Sequence, residues 1–400
     1  MNDIGSKVRS LMKEMEPVFI EDFKYLHQHP EKSFEEFETT AFIKKRLTSL
    51  GITIMDHGMK TGVVGLLKGA TDGPCIALRA DIDGLPVEEM SSCSFPSQNK
   101  GYMHACGHDT HASSLLAAAR ILAACKEDLQ GSVKFLFQPA EEVNFGAKEM
   151  MKHKVLENPK VDALFGLHNS PEIPIGTIAV KNGPLMAAVN RINITITGSG
   201  GHGGVPQRNI DPIVCAASII LSTQTIVSRN LSPFAPCVVS ICNVRAGEGT
   251  TNNVTPNEVT MYGTVRAFQT EDIDLIEKRL GSIIQYTCEA FGCKGNLEFI
   301  RELDVTGSKE LYDIALKAVK ETGAQPVDPT PSTGGEDFSV YQKGNVPCFF
   351  YWLGTRNEKQ DCVYSWHSPK FKADPHCIMI GGGVYTMSVF KAIEKFKAEN

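Results

Sequence analysis

The chain has 400 residues, which predicts more than one domain, and its net charge of −6 and pI near 6.0 do not suggest a basic surface for a nucleic-acid partner. Apolar residues make up 42 % and charged residues 22 %, as in globular proteins with a sizeable core, and neither a secretory signal nor a run of about 18 apolar residues predicts export or a membrane span. The twelve cysteines are scattered without a CxxC pair, which predicts reduced thiols in a cytoplasmic protein.

The first part of the chain is predicted to alternate helices with short strands. Helices are expected over residues 5–50 and 110–125, the second with Asp109 as its N-cap. Short apolar runs predict buried strands at 62–67, 75–80 and 133–138. The alternation continues to about residue 183 and indicates an α/β domain with a largely parallel sheet.

The order of elements changes at 187–302. Strands are predicted at 189–197, 237–244, 257–266 and 294–301, and helices at 211–228 and 271–291. This βαββαβ order is typical of a ferredoxin-like α+β domain. Because the order is complete in itself, the segment is predicted to be inserted between the two parts of the α/β domain, 1–186 and 303–400. The second part continues with a helix at 308–322, a strand at 346–353 and a helix at 378–397.

The segment MHACGHDTHAS (103–113) combines three histidines, a cysteine and an aspartate directly before a predicted helix. Imidazole, thiolate and carboxylate are the side chains that bind divalent transition metals. Cys106 and His108 stand two residues apart, where the helix N-terminus and nearby cations would favour the thiolate. A capped helix start with incidental histidines is the alternative, but the density of ligand types favours a metal site.

Two adjacent glutamates, Glu141 and Glu142, follow a predicted strand in QPAEE (138–142). Neighbouring residues in an extended chain point to opposite sides, so one can bind a metal while the other faces a substrate. In metal hydrolases the cation lowers the pKa of a water to about 7 and a free carboxylate takes the proton. An isolated pair would more often begin a solvated loop, so this interpretation depends on the neighbouring motifs.

Single histidines at predicted strand ends or loops extend the set. His168 lies in GLHNSPE and His367 in SWHSPKF, and each alone would more often be structural. Sites in doubly wound α/β domains form at the carboxyl ends of strands, so these side chains are expected to converge. In RADIDGLP (79–86), Asp81 could orient a histidine, bind the metal itself or stabilise a loop.

A competing pattern, G-x-G-x-x-G, spans Gly198–Gly203 between a predicted strand and a predicted helix. That context suits a dinucleotide-binding loop. The acid expected near the end of the next strand is missing, and Arg245 stands there instead, which weakens this reading. The alternative is a glycine-rich turn that presents His202 to an active site.

Together these segments resemble the M20 metallopeptidase and amidohydrolase family, in the branch of hippurate hydrolases, N-acyl-amino-acid amidohydrolases and auxin-conjugate hydrolases. The resemblance covers nearly the whole chain. It rests on LHQHPEKSFEEFET (26–39), LRADIDGLPVEE (78–89), MHACGHDTH (103–111), FQPAEE (137–142), GLHNSP (166–171), GSGGHGGVP (198–206), NVTPNEVTMYGTVRAF (253–268), TGGEDFSVY (333–341) and HSPKF (367–371). It implies a zinc-peptidase-like α/β catalytic domain with an inserted ferredoxin-like dimerisation or lid domain.

The resemblance also implies roles for individual residues. The ligands of two divalent ions (Zn, Mn, Co or Ni) would be Cys106 as the bridging ligand with His108, Glu142, His168 and His367. Glu141 would be the general base and acid, and Asp81 would orient a ligand. Other branches have a histidine at the position of Arg79, so His108 is expected to replace it as a ligand.

The inserted domain is expected to contribute to substrate binding and catalysis. The resemblance implies that His202 stabilises the oxyanion in the partner protomer's site. Asn253 and Arg266 would bind the substrate's carbonyl or carboxylate, for which a planar guanidinium is suited. A plain surface arginine that ends a strand is the alternative for Arg266.

The resemblance therefore implies a homodimer, alone or within a homotetramer, that hydrolyses the amide bond of small N-acyl amino acids. A metallo-dipeptidase or carboxypeptidase is the main alternative. An NAD(P)-dependent oxidoreductase, suggested by the glycine pattern, and a non-catalytic binding protein are the others. The sequence does not select the acyl group.

Overall fold

The computed structural model describes residues 3–247 and 251–398. It divides into two compact units, one made of 1–185, 306–330 and 336–400 and the other of 186–305 and 331–335. The second unit extends the predicted insertion, 187–302, by one residue at its start and three at its end, and it also includes 331–335. The reason is local pairing, because the Ala187 amide donates to the Ser332 carbonyl at 3.0 Å.

The helices and strands are numbered along the chain. The helices are α1 (Ile4–Gln28), α2 (Phe37–Ser49), α3 (His108–Ala124), α4 (Gly146–Lys152), α5 (Pro212–Thr225), α6 (Thr270–Phe291), α7 (Lys309–Thr322) and α8 (Cys377–Ala398). The strands are β1 (Thr53–Met55), β2 (Val63–Lys68), β3 (Thr71–Asp81), β4 (Gln130–Gln138), β5 (Ala163–Pro174), β6 (Thr177–Ala179), β7 (Pro184–Met186), β8 (Ala188–Thr197), β9 (Gly201–His202), β10 (Val238–Ala246), β11 (Val254–Thr255), β12 (Glu258–Ala267), β13 (Lys294–Ile300), β14 (Val305–Thr306), β15 (Gln325–Val327) and β16 (Cys348–Arg356).

The first unit is built on an eight-stranded sheet with the order β1-β2-β4-β3-β5-β16-β6-β15. Its central strands β4, β3, β5 and β16 are parallel, whereas β1–β2, β2–β4 and β6–β16 pair antiparallel. The prediction of a largely parallel sheet is correct for the centre and wrong for these pairs. Residues 56–62, which join β1 to β2, are too few for the crossover that parallel neighbours need.

Helices α1, α3, α7 and α8 share one hydrophobic core with this sheet. A run of three glycines in α8 allows close packing. A Cβ atom on Gly381 would lie 2.4 Å from Ser114 Oγ, and one on Gly382 would lie 2.6 Å from Ala117 Cβ. Helices α3 and α8 can therefore approach closely because glycine has no side chain at these positions.

The second unit has an antiparallel sheet with the order β10-β12-β8-β13. Helix α5 connects β8 to β10 and α6 connects β12 to β13, which confirms the predicted βαββαβ order and the fold class. Buried apolar residues of both helices and of the sheet form its core. Strands β10 and β13 are the edges of this sheet.

The helical segment Pro212–Asn230, made of α5 and a π-helical turn, is long and apolar enough to cross a membrane by length and composition alone. The sequence predicts a helix at 211–228 but not a membrane span, because polar residues interrupt the apolar run. One such helix is weak evidence, since core helices of soluble proteins have the same composition. Its buried residues Cys215, Ala216 and Ile219 belong to the core of the second unit.

Candidate metal centre

The pairing register of the parallel strands in the first unit decides where most of the predicted ligands lie. Asp81 ends β3 and pairs with Gln138 at the end of β4, and His168 lies in the neighbouring strand β5. The chain continues from Gln138 to Glu141 and Glu142. Because parallel strands place their carboxyl ends at one edge of a sheet, these side chains come together as expected.

The five predicted ligands of the first unit lie close to one another. Cys106 Sγ is 3.4 Å from His168 Nε2, and Glu142 Oε1 is 3.8 Å from His108 Nε2. Glu142 Oε2 is 3.5 Å from Nε2 of His367, whose side chain is 57 % exposed. The ligand atoms of two groups, Cys106–His108–His168 and Cys106–Glu142–His367, each lie within 4.8 Å of one another.

Hydrogen bonds orient two of the imidazoles so that Nε2 points into the cluster. His168 Nδ1 lies 2.7 Å from the Asn169 carbonyl, and His108 Nδ1 lies 2.9 Å from the Asp83 carbonyl. A carbonyl can only accept, so each Nδ1 carries a proton, and in the neutral ring Nε2 then has the lone pair that a metal needs. Burial, and then the neighbouring His111, lower the pKa of His168 well below its usual value, which favours the neutral, metal-binding form.

Gly107 shapes the backbone between the ligands Cys106 and His108. Its φ is +87°, and a Cβ atom there would lie 2.3 Å from Asn169 Nδ2. Gly107, rather than Asp109, is the N-cap of α3, so the predicted cap is wrong. The Asp109 carboxylate instead lies 2.6 Å from His27 Nδ1.

Buried carboxylates crowd the cluster. They belong to Asp81, Asp83, Glu141, Glu142, Glu336 and Asp337. Arg79, which is fully buried, contacts three of them, at 2.9–3.0 Å. Two buried atoms aimed at the cluster, His108 Nε2 and Glu142 Oε1, have no hydrogen-bond partner in the described part of the chain. Several buried carboxylates, together with ligand atoms that have no hydrogen-bond partner, are the environment that divalent cations bind.

The environment of Cys106 differs from the prediction. Burial raises the pKa of its thiol well above the usual value, and the charge of Glu142 raises it further. Nearby cations were expected to favour the thiolate, and His108 does lower the pKa, but burial and the charges of Glu142 and Glu141 outweigh its effect. A thiolate at this position therefore requires a bound cation.

Glu141 is buried beside the candidate ligands. Its Oε1 accepts a hydrogen bond from the Asp337 amide at 3.3 Å, and its Oε2 lies 3.8 Å from His108 Nε2. Burial holds the pKa of Glu141 well above its usual value, and the charges of Glu336 and Asp337 add to this. A carboxyl group with a raised pKa can both accept and return a proton near neutral pH.

Asp81 contacts a histidine that was not expected to matter. Its Oδ1 is 2.5 Å from His111 Nδ1, whereas its Oδ2 is 3.7 Å from His108 Nε2. His111 Nε2 in turn accepts a hydrogen bond from the Asn169 amide at 2.8 Å. The aspartate thus fixes a ring that packs against His168, at 4.4 Å between ring centroids.

Sequence reasoning missed three carboxylates of this site. Asp83 lies in RADIDGLP, and Glu336 and Asp337 lie in TGGEDFSVY, but no role was predicted for any of the three. Arg79 binds Glu336 across 257 positions of sequence, so no local pattern could have paired them. The only available signal was the acidic pair itself, which follows two glycines.

Comparison with known proteins gives the family. The sequence model of peptidase family M20/M25/M40 matches residues 77–391. N-acetylcysteine deacetylase of Bacillus subtilis (strain 168) is 41 % identical over 374 residues, which are 93 % of this chain and 96 % of that protein. The chain belongs to peptidase family M20/M25/M40.

Two further relatives agree with the branch that the sequence suggested. IAA-amino acid hydrolase ILR1-like 4 of Arabidopsis thaliana is 35 % identical over 380 residues, 93 % of this chain and 85 % of that protein. The Bacillus subtilis YXEP protein, a dinuclear metal binding peptidase from the M20 family, has a TM-score of 0.85 at 37 % identity and covers 96 % of this chain and 99 % of its own. The predicted resemblance to M20 enzymes is confirmed.

The second unit of this M20 protein contains the other three predicted site residues. His202 is exposed and its Nδ1 accepts from the Gly204 amide at 2.9 Å. The Asn253 carbonyl accepts from the Gly203 amide at 2.8 Å. Arg266 lies in β12 and is half-buried, and this burial lowers the pKa of its guanidinium.

The glycine pattern does not form a dinucleotide-binding loop. Within it, Gly201–His202 is the short strand β9, which pairs antiparallel with β11. Helix α5 begins only at Pro212, so the glycines do not lie at a helix N-terminus. The glycine pattern therefore gives no support to the alternative of an NAD(P)-dependent oxidoreductase.

Proposed function

We propose that this M20 protein is a two-metal amidohydrolase that cleaves the amide bond of N-acyl amino acids. The observation that carries the proposal is the convergence of cysteine, histidine and glutamate side chains beside the buried acid Glu141. The relatives named above, a deacetylase of N-acetylcysteine and a hydrolase of IAA-amino acids, support a substrate with an acylated amino group.

The metal site is assigned to the cluster in the first unit. Cys106, which belongs to both groups of ligand atoms, would hold the two cations together with His108, Glu142, His168 and His367. This set of donors suits Zn, Mn, Co or Ni. When bound, two such cations would polarise the scissile carbonyl and lower the pKa of the attacking water toward about 7.

The protein's own groups move the proton. Glu141 takes a proton from the attacking water and returns it to the leaving nitrogen, for which its raised pKa is suited. Asp81 holds His111, and through it the ring of His168, in a fixed orientation. Fixed neighbours of this kind preserve the geometry of ligands.

Substrate binding is assigned to the inserted domain, for which we propose the bounds 187–302 and a dimerisation or lid role, with 1–186 and 303–400 as the catalytic domain. His202 would donate a hydrogen bond to the oxyanion in the site of the partner protomer. Asn253 and Arg266 would bind the substrate's carbonyl and carboxylate. These roles require a homodimer, alone or within a homotetramer.

The substitution Glu141→Gln tests the mechanism. It removes the proton carrier and keeps the size of the side chain, so turnover of N-acyl amino acids should fall about 10²- to 10⁴-fold. Bound metal, measured by elemental analysis, should stay the same. Glu149→Gln, a glutamate that pairs with Lys152 and His153 on α4, is the matched control and should keep full activity. Full activity of the Glu141→Gln protein would disprove the mechanism.

A metallo-dipeptidase or carboxypeptidase is the second candidate, because the family and one of the relatives described above are peptidases. A panel of N-acetyl and N-benzoyl amino acids beside dipeptides, run on protein loaded separately with each metal, separates the two. Faster turnover of dipeptides than of every acyl amino acid would favour the peptidase.

We place the enzyme in the cytoplasm, in keeping with its free cysteines.

A further inference from the structure

A second group of metal-binding side chains lies in the first unit, and none of its members belongs to the proposed catalytic pair. It consists of His27, Glu89 and Cys93, whose ligand atoms lie within 4.8 Å of one another. His27 Nε2 is 3.4 Å from Glu89 Oε1. His27 lies at the end of α1, and the other two lie in the long segment between β3 and α3.

The imidazole of His27 is oriented as metal-binding histidines are. Its Nδ1 is 2.6 Å from Asp109 Oδ2, and both side chains are buried. A carboxylate at Nδ1 keeps the proton there and directs Nε2 toward Glu89 and Cys93. The rings of Phe23 and Phe95 pack against the imidazole at centroid distances of 5.7 and 5.4 Å. The ring is therefore fixed before any ion binds.

The two other donors are held on the same side of a turn. Glu89 Oε2 accepts from the Ser97 amide at 2.6 Å, and the Ser91 hydroxyl donates to Oε1. The Cys93 amide donates to the same Ser91 hydroxyl at 3.1 Å, which places the thiol next to the carboxylate. Glu89 is nearly buried, at 5 % exposure, whereas Cys93 is partly exposed and gives an ion access from solvent.

We propose that His27, Glu89 and Cys93 form a third cation site, which binds Zn²⁺ or a similar ion with solvent in the remaining position. Imidazole, carboxylate and thiolate are the donors that Zn²⁺ takes in tetrahedral sites. Their two negative charges balance the charge of the ion. Binding releases the protons of Sγ and Nε2 to solvent. The ion ties the end of α1 to the segment that leads to α3.

Cobalt spectroscopy tests this site because a cobalt–thiolate bond absorbs in the near ultraviolet. The experiment starts from Cys106→Ala protein, so that the proposed catalytic centre contributes no thiolate. Co²⁺ titrated into this protein should produce a saturable thiolate-to-cobalt band. The band should vanish in Cys106→Ala/Cys93→Ser and should need about ten-fold or more Co²⁺ in Cys106→Ala/Glu89→Gln.

Cys242→Ser, placed in the same Cys106→Ala background, is the matched control, because Cys242 is an exposed thiol outside the cluster. Its band should equal that of the parent. A parent without a thiolate band, or a band that persists without Cys93, would overturn the proposal. If Cys106→Ala fails to fold, the difference between the Co²⁺ spectra of wild type and Cys93→Ser gives the same answer.

This test is independent of the proposed catalytic function. No substrate is used, so an inactive enzyme leaves the result unchanged. If Cys106 were no ligand, the Cys106→Ala substitution would leave the full wild-type band in place. That outcome would count against the proposed catalytic ligand Cys106. The third site is tested separately, by the loss of the cobalt–thiolate band when Cys93 is replaced.

Discussion

At the scale of single residues, Asp83 organises much of the candidate metal centre. Its two carboxylate oxygens accept from the amides of Glu141 and Glu142, each at 3.1 Å. Its carbonyl accepts from Nδ1 of His108 at 2.9 Å, and its Oδ2 accepts from the Ser33 hydroxyl at 2.7 Å. One buried aspartate thus positions a candidate ligand, the candidate base and a candidate metal-binding histidine.

Replacing Asp83 with Asn should weaken metal binding. An amide group has only one acceptor oxygen, so one of the two glutamate amides would face an NH₂ group and remain unpaired. We expect the dissociation constant of the metal to rise about 10- to 100-fold and the free energy of unfolding to fall by about 1–3 kcal/mol. Competition with a chelator and urea unfolding measure the two effects.

Ser33→Ala is the control for Asp83→Asn, because it removes a single hydrogen bond to the same carboxylate and leaves both glutamate amides paired. Its effect on the unfolding free energy should be about 1 kcal/mol or less. Metal affinity equal to that of the wild type in Asp83→Asn would show that the aspartate does not position the ligands.

The pKa of Glu36 predicts that the stability of the protein depends on pH. Burial raises the pKa of this carboxyl from 4.5 to about 7, and the charge of Asp83 adds to the shift. The folded protein therefore keeps the proton while the unfolded chain loses it, so stability falls as pH rises from about 4.5 to about 7. A shift of this size is equivalent to about 3 kcal/mol.

Glu36→Gln should remove this dependence and be the more stable protein at pH 8, because Gln keeps the oxygen that accepts from the Phe34 and Ala140 amides. Urea unfolding of metal-free protein at pH 5 and pH 8 measures it. The exposed neighbour Glu38→Gln is the control and should behave as the wild type. An unchanged pH slope in Glu36→Gln would contradict the assignment.

At the scale of elements, two helical glycines should respond to alanine in opposite directions. Gly382 in α8 faces α3, and an added Cβ would lie 2.6 Å from Ala117 Cβ. Gly382→Ala should destabilise the protein by about 1–3 kcal/mol, because the clash outweighs the gain in helix propensity.

Gly281 lies inside α6 with open space within 4 Å of an added Cβ. Gly281→Ala should therefore stabilise by about 0.5–1 kcal/mol. Thermal unfolding followed by circular dichroism compares both variants with the wild type. Equal effects at the two positions would show that the contact between α3 and α8 is not limited by side-chain size.

At the scale of the whole molecule, the proposed homodimer can be tested on the surface of the second unit. Helix α5 exposes Ile213, Val214 and Leu221, at 45 %, 50 % and 72 %. Apolar side chains that cluster on one helix are typical of interfaces. The edge strand β10 offers a further surface for pairing.

Leu221→Lys should shift the protein toward monomers, with a dimer dissociation constant raised about 100-fold or more, because an unpaired charge in an apolar interface is costly. Sedimentation at several concentrations measures the distribution. Phe37→Lys, which changes a 48 % exposed residue of the first unit, is the control and should leave it unchanged. A wild-type protein that sediments as a monomer at micromolar concentration would contradict the dimer.

Much of the architecture could be predicted from local pattern. The four strands and two helices of the second unit were expected within a few residues of their observed bounds, because each has a clear apolar periodicity and polar flanks. The candidate ligands could be named because their side-chain types are rare in combination. The antiparallel strands at the edges of the large sheet could not be predicted, because strand order depends on which strands pair when they are distant in the chain.

Residues that are near one another in the chain decide which elements form and which side chains can bind metal, so both could be predicted from local pattern. The pairing of the buried polar groups depends on the folded chain. Arg79 meets Glu336 and Asp337, His27 meets Asp109, and Glu36 binds the amide of Ala140. Such pairs join residues that are 82 to 258 positions apart, and their energies depend on a buried environment that exists only once the chain is folded.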